Sequence, residues 1–145
     1  MWWIAQENSA SWTEAWALML GVGALIVVSG FVVIGIAERT ADGRLGPNGW
    51  AGTRTKATTS SPEAWKIAHE VGRAPSLAAG WLMVLGTPAA TLLALLVASG
   101  DPERAISIWG VLVVVISVVM LGPLIYGVVK SDRAAKAYRD GTLDA

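Results

Sequence analysis

The stretch Ala105–Val129, AISIWGVLVVVISVVMLGPLIYGVV, contains no Asp, Glu, Lys, Arg or His. A helix needs about 20 predominantly apolar residues to cross the hydrocarbon core of a bilayer, so this run can cross once. Working outward along the chain, Ala74–Gly100 and Ala15–Ala37 are charge-free in the same way. Charged residues make up 15% of the 145-residue chain, against roughly 25% in an average soluble domain. Three such runs in so short a chain weigh against a soluble bundle of buried helices. The expected fold class is an all-α membrane protein with three transmembrane helices.

The chain divides accordingly into a tail (1–14), a first span (15–37), a loop (38–73), a second span (74–100), a turn (101–104), a third span (105–129) and a tail (130–145). Lys and Arg resist transfer, so cytoplasmic loops are enriched in them. The N-terminal tail has none. The loop has six (Arg39, Arg44, Arg54, Lys56, Lys66, Arg73), the turn has Arg104 alone, and the C-terminal tail has four (Lys130, Arg133, Lys136, Arg139). These counts agree on an N-terminus outside, a cytoplasmic loop, an outer turn and a cytoplasmic C-terminus. Trp2, Trp3, Trp12 and Trp16 at the outer end of the first span, and Trp109 near that of the third, suit the preference of indole for the interface. Trp81 lies deeper and reads as a packing residue. The opening MWWIAQENSASWTEAW lacks the basic and short apolar regions of a signal peptide.

Several function classes lose support here. The spans hold no ionisable residue, which argues against a proton-coupled transporter. There is no Cys and only one His, which leaves no ligand set for zinc and no thiolate chemistry; no cofactor is expected. Zero net charge points to no acidic partner and to no nucleic acid. Gly86, Ala90, Ala94 and Ala98 recur every fourth residue and form a stripe on which another helix can pack closely. Pro88 and Pro123 fall inside spans, where each is expected to bend its helix.

The segment between the first two spans is different in kind. LGPNGWAGTRT, Leu45–Thr55, reads as compact turns, and its Gly46, Gly49 and Gly52 lack the flanking context of a phosphate-binding loop. SSPEAWKIAHEVG then reads as a helix start, with Ser61 capping ahead of Pro62 or Ser60 paired with Glu63. Glu63, Lys66, Glu70 and Arg73 form a charged stripe, with Ala64, Ala68, Val71 and Gly72 opposite. This predicts a short amphipathic helix over about residues 62–72, lying along the inner interface before Pro75 and the second span. His69 suits a structural or interface role better than a ligand or base role. Arg54 can hold a lipid phosphate or an acidic partner, or tie loop carbonyls together.

Gly52–His69, GTRTKATTSSPEAWKIAH, resembles the signature of the SdpI family of small bacterial membrane proteins: an Arg-Thr turn, then Ser, then a Trp-containing helix just before a span. The matching positions are Gly52, Arg54, Thr55, Ser61, Trp65 and His69. The resemblance implies a bacterial plasma-membrane protein, without enzymatic activity, that protects a cell from a membrane-active peptide toxin or regulates the response to it. Larger relatives carry further helices, and this chain resembles the three-span core. An alternative is an accessory subunit of a larger membrane complex such as a transporter, envelope-synthesis or respiratory assembly. The partners to be expected are thus the lipid bilayer, a peptide toxin, and a membrane-protein partner or a second copy of the chain.

Overall fold

The computed structural model describes residues 10–142; the expectations for Trp2, Trp3 and the rest of residues 1–9 lie outside the described residues, as do residues 143–145. The described chain is three helices with no strand: α1 (Trp12–Ala41), α2 (Pro62–Ala98) and α3 (Pro102–Arg139). Each start is capped by the residue just before it. The Ser11 hydroxyl accepts the Glu14 N–H at 3.3 Å while the Glu14 carboxylate accepts the Ser11 N–H at 2.8 Å, a reciprocal capping box. The Ser61 hydroxyl accepts the Ala64 N–H at 3.1 Å, ahead of Pro62. The Asp101 carboxylate accepts the N–H groups of Glu103 and Arg104 at 3.0 and 3.2 Å, ahead of Pro102. Proline at a first helical position costs nothing, because its missing donor would have been unpaired there. Between α2 and α3 the chain reverses through Ser99 and Gly100, both at positive φ.

Two expectations change. Residues 62–72 are not a separate interfacial helix: they are the first three turns of α2, which runs unbroken through Pro75 and Pro88. The amphipathic pattern is there, with Glu63, Lys66, Glu70 and Arg73 exposed and Ala64, Ala68 and Gly72 buried. Its apolar side, however, is covered by protein. Ala64 and Ala68 pack with Ala57 of the loop and with Ala135 and Tyr138 of α3. Contacts to α3 continue past the proline, since a Cβ placed on Gly127 would lie 3.1 Å from the Pro75 Cβ; α3 thus backs α2 on both sides of Pro75. Likewise α3 does not stop where its apolar run stops. It continues to Arg139, through residues read as a tail, because Ser131 and Ala135 are buried and Asp132 pairs with Lys136 one turn on at 2.7 Å. Pro123 also lies inside an unbroken helix.

α2 is the central element; α1 and α3 pack on it and barely touch each other. α1 meets α2 at two glycines. A Cβ on Gly30 would lie 2.9 Å from the Gly80 carbonyl oxygen, and one on Gly80 would lie 3.0 Å from that of Gly30, so backbone packs on backbone there. On the α3 side, Gly86 faces Ile116. Ala90 and Ala94 are buried with Met19 and Trp109, and Ala98 is buried as well. The Trp109 indole donates to the Thr91 hydroxyl at 3.0 Å. Trp81 meets Phe31 edge-on at 6.5 Å between ring centres and keeps nearly half its surface outside.

The outward surface decides the solvent. Leu25, Leu85, Leu96 and Val111 are 69%, 63%, 70% and 64% exposed, and only 6% of the most apolar window of α3 is buried. An apolar surface so continuous belongs against lipid. The protein is a multi-pass membrane protein, with three helices long and apolar enough to cross.

Candidate functional site

The loop 42–61 closes over the N-terminal turns of α2 through a chain of side-chain hydrogen bonds. Asn48 starts it: its side-chain oxygen accepts the N–H groups of Trp50 and Ala51 at 3.0 and 2.8 Å, and its amide donates to the Gly46 carbonyl at 2.9 Å. Asn favours such turns because its side chain mimics a backbone peptide. Arg54 reaches back to donate to the Gly49 carbonyl at 2.6 Å. Thr55 and Thr58 then exchange bonds, the Thr58 hydroxyl accepting the Thr55 N–H at 2.8 Å and the Thr55 hydroxyl accepting the Thr58 N–H at 3.2 Å. The Thr58 hydroxyl donates in turn to the Thr53 carbonyl at 2.8 Å. Thr58 is fully buried.

Trp65 and His69, one turn apart on α2, are the floor on which this loop sits. Their rings lie 4.1 Å apart between centres. The Trp65 indole donates to the Leu45 carbonyl at 2.8 Å. The His69 Nε2 accepts the Thr53 N–H at 2.9 Å. That acceptor role fixes the tautomer, so Nδ1 carries the proton and donates to the Trp65 carbonyl at 2.8 Å,. Burial pushes the His69 pKa below its ordinary value, and the Trp65 carbonyl opposes that shift. Gly52 lies against both rings: a Cβ there would be 2.5 Å from His69 Nε2 and 3.1 Å from Trp65, and its φ is +89°. Only glycine suits both the conformation and the space.

The six motif residues thus form one unit. Gly52 permits the close approach, Arg54 and Thr55 hold the turn, Ser61 caps the helix, and Trp65 and His69 receive the loop. The packing stripe Gly86, Ala90, Ala94 and Ala98 is elsewhere, toward the opposite end of α2.

Side chains outside the motif reinforce the site. Ser131 of α3 donates to the Ala68 carbonyl at 2.8 Å and sits directly over Gly72. The Arg73 guanidinium pairs with the Glu38 carboxylate, joining the last turns of α1 to α2. Asp132 is held below the usual carboxylate range chiefly by Lys136, with which it pairs at 2.7 Å. Glu38 and Arg73 are the charges that bound the loop in sequence; helical spacing puts Arg73 on the charged stripe but names no partner for it.

Beneath the loop lies a cavity of about 350 Å³. Its apolar wall comes from Val33, Ile36 and Ala37 of α1 and Leu124 and Val128 of α3, and Arg54, Thr55, His69 and Arg73 stand on its polar side. Among the described residues no group of three His, Cys, Asp or Glu is placed to hold a metal.

The fold and the site define a small helical integral membrane protein whose one elaborated feature is a structured polar loop locked onto the start of a spanning helix. A family model described as the SdpI/YfhL protein family matches residues 44–127. That stretch takes in most of the loop, all of α2 and most of α3, and the chain belongs to this family. No curated protein and no solved structure matches the chain.

Proposed function

We propose that this protein is a non-enzymatic member of its family that protects the cell carrying it against a membrane-active peptide toxin, or regulates the response to one. The observation that supports it is the family match over 44–127, which takes in the loop motif and both helices that follow it. The loop chemistry favours a structural and recognition role over catalysis. His69 is the only imidazole, and both its nitrogens are engaged with backbone groups, so the imidazole is not free to act as a base. In this reading the protein resides in a bacterial plasma membrane with the loop and C-terminus on the cytoplasmic side, as the Lys and Arg distribution favours.

The test is expression in a peptide-sensitive bacterial host, followed by challenge with membrane-active peptides encoded beside the protein or secreted by neighbouring strains. Survival should rise with the wild-type protein and return to the empty-vector level with Gly52→Ala at equal membrane abundance. Unchanged survival against every such peptide would overturn the reading.

A further inference from the structure

We propose that the cavity beneath the loop binds one anionic phospholipid, with its phosphate at Arg54 and an acyl chain along the wall formed by Val33, Ile36, Leu124 and Val128. The cavity lies where α1 and α3 stand apart on the same end of α2, so its wall is made by two helices that hardly touch. It sits at the ends of the apolar runs, since Ala37 and Val128 are at or next to the last charge-free positions of the first and third spans. This is the depth at which headgroups give way to chains.

The polar groups lining the cavity divide in a way that selects the ligand. The hydroxyls of Thr40, Ser76 and Ser131 are turned into helix carbonyls, donating to Ile36, Gly72 and Ala68 at 2.8, 2.9 and 2.8 Å. His69 has both nitrogens occupied. The Arg73 charge is balanced by Glu38. Arg54 differs. It spends one N–H on the Gly49 carbonyl, and among the described residues no carboxylate pairs with it. A guanidinium keeps its remaining donors in a planar fork that matches phosphate. One uncompensated cation beside an apolar wall fits an amphiphile with a single negative head. A free phosphate would leave that wall wetted or void, and a void forfeits the dispersion contacts of every atom lining it. A volume of about 350 Å³ holds a headgroup with the first part of one chain and leaves the rest in the bilayer.

The test uses the full chain purified in a neutral maltoside detergent, with native mass spectrometry and thermal midpoints as readouts and phosphatidylglycerol, phosphatidylcholine and glycerol 3-phosphate as probes. A retained one-to-one phosphatidylglycerol adduct with a raised midpoint is expected, with neither effect from the other two probes. Arg54→Gln should weaken retention about tenfold or more, since it removes the charge-assisted hydrogen bonds to the phosphate. Because Arg54 also ties the loop, Val128→Trp provides an independent variant: it fills the apolar wall and should abolish retention together with the rise in midpoint on adding phosphatidylglycerol. Arg104→Gln, at the far end of the molecule, should retain the lipid fully. Equal retention of phosphatidylcholine, equal stabilisation by glycerol 3-phosphate, absence of any adduct, or an equal loss with Arg104→Gln would each overturn the proposal.

Discussion

Gly52 and His69 meet at the tightest point of the loop, and each makes a prediction of known sign. Gly52→Ala puts a methyl 2.5 Å from His69 Nε2 and fixes an L side chain at φ +89°. Backbone strain of this kind costs on the order of 1–3 kcal/mol, and the Thr53–His69 bond would be pushed apart as well. Gly49→Ala is the matched control, because a Cβ there meets nothing within 4 Å; it should stay within about 0.5 kcal/mol of wild type. Unfolding in a denaturing detergent, followed by tryptophan fluorescence, separates the two. His69 adds a pH dependence. Its folded pKa lies below the ordinary 6.5, chiefly through burial, so on acidification the unfolded chain takes up a proton before the folded one does. Stability is therefore fully present above pH 6.5, declines as pH falls below it, and levels off once the folded pKa has been passed. His69→Gln can still accept the Thr53 N–H but does not titrate. Thermal midpoints measured from about pH 7.5 to about pH 5 should fall more steeply for wild type than for this variant; parallel curves would show that His69 does not carry the effect. The sequence reading singled out His69 and Gly52 from the motif but gave them no partners. Those depend on how residues 45–58 fold back over α2, and bonds such as Trp65 to Leu45 and His69 to Thr53 span 20 and 16 residues.

The helices were largely legible because each carries one strong periodic or compositional signal. Charge-free length located three spans, and Ser61-Pro62 marked a helix start by a local mechanism that needs no tertiary information; Asp101-Pro102 caps α3 in the same way but lies in the stretch read as a turn. The end of α3 and the continuity of α2 through Pro75 were not legible, since both depend on burial of Ser131, Ala135 and Gly127 against a neighbouring helix. The Gly30–Gly80 contact was likewise hidden, as a glycine in an apolar run gives no sign of which helix it will face. On α2 two threonines one turn apart behave in opposite ways. The Thr91 hydroxyl accepts the Trp109 indole N–H, whereas the Thr87 hydroxyl is buried without a partner among the described residues. Interhelical hydrogen bonds in membranes contribute roughly 0.6 kcal/mol and at most about 1.7, so Thr91→Val should destabilise by about 1 kcal/mol. Thr87→Val keeps the branched shape and removes an unsatisfied group, and should be neutral or stabilising by up to about 1 kcal/mol. Reversible unfolding in mixed micelles measures both, and destabilisation by Thr87→Val would mean that its hydroxyl has a partner within the membrane.

Across the whole molecule, the match to the family begins at residue 44, after α1 has ended at Ala41. The matched part therefore holds the loop, its receiving surface on α2, and α3 as the wall behind it. α1 completes the assembly by packing on α2 through Gly30 and by pairing Glu38 with Arg73. Both the loop and the charged end of α3 lie at one end of the bundle, where Ala57 of the loop packs with Ala64 and Ala68 of α2 and with Ala135 and Tyr138 of α3. That end also carries ten of the eleven Lys and Arg residues, all but Arg104. Since a cluster of this size is retained on the cytoplasmic side, the bundle should have one orientation rather than two. The absence of Cys from the chain makes the test direct. Ser99→Cys, in the turn between α2 and α3, should react with a membrane-impermeant maleimide in intact cells. Thr59→Cys, in the loop, should react only after lysis. Labelling of Thr59→Cys from outside would invert the bundle, and would move the locked loop and its cavity to the face where a secreted peptide arrives.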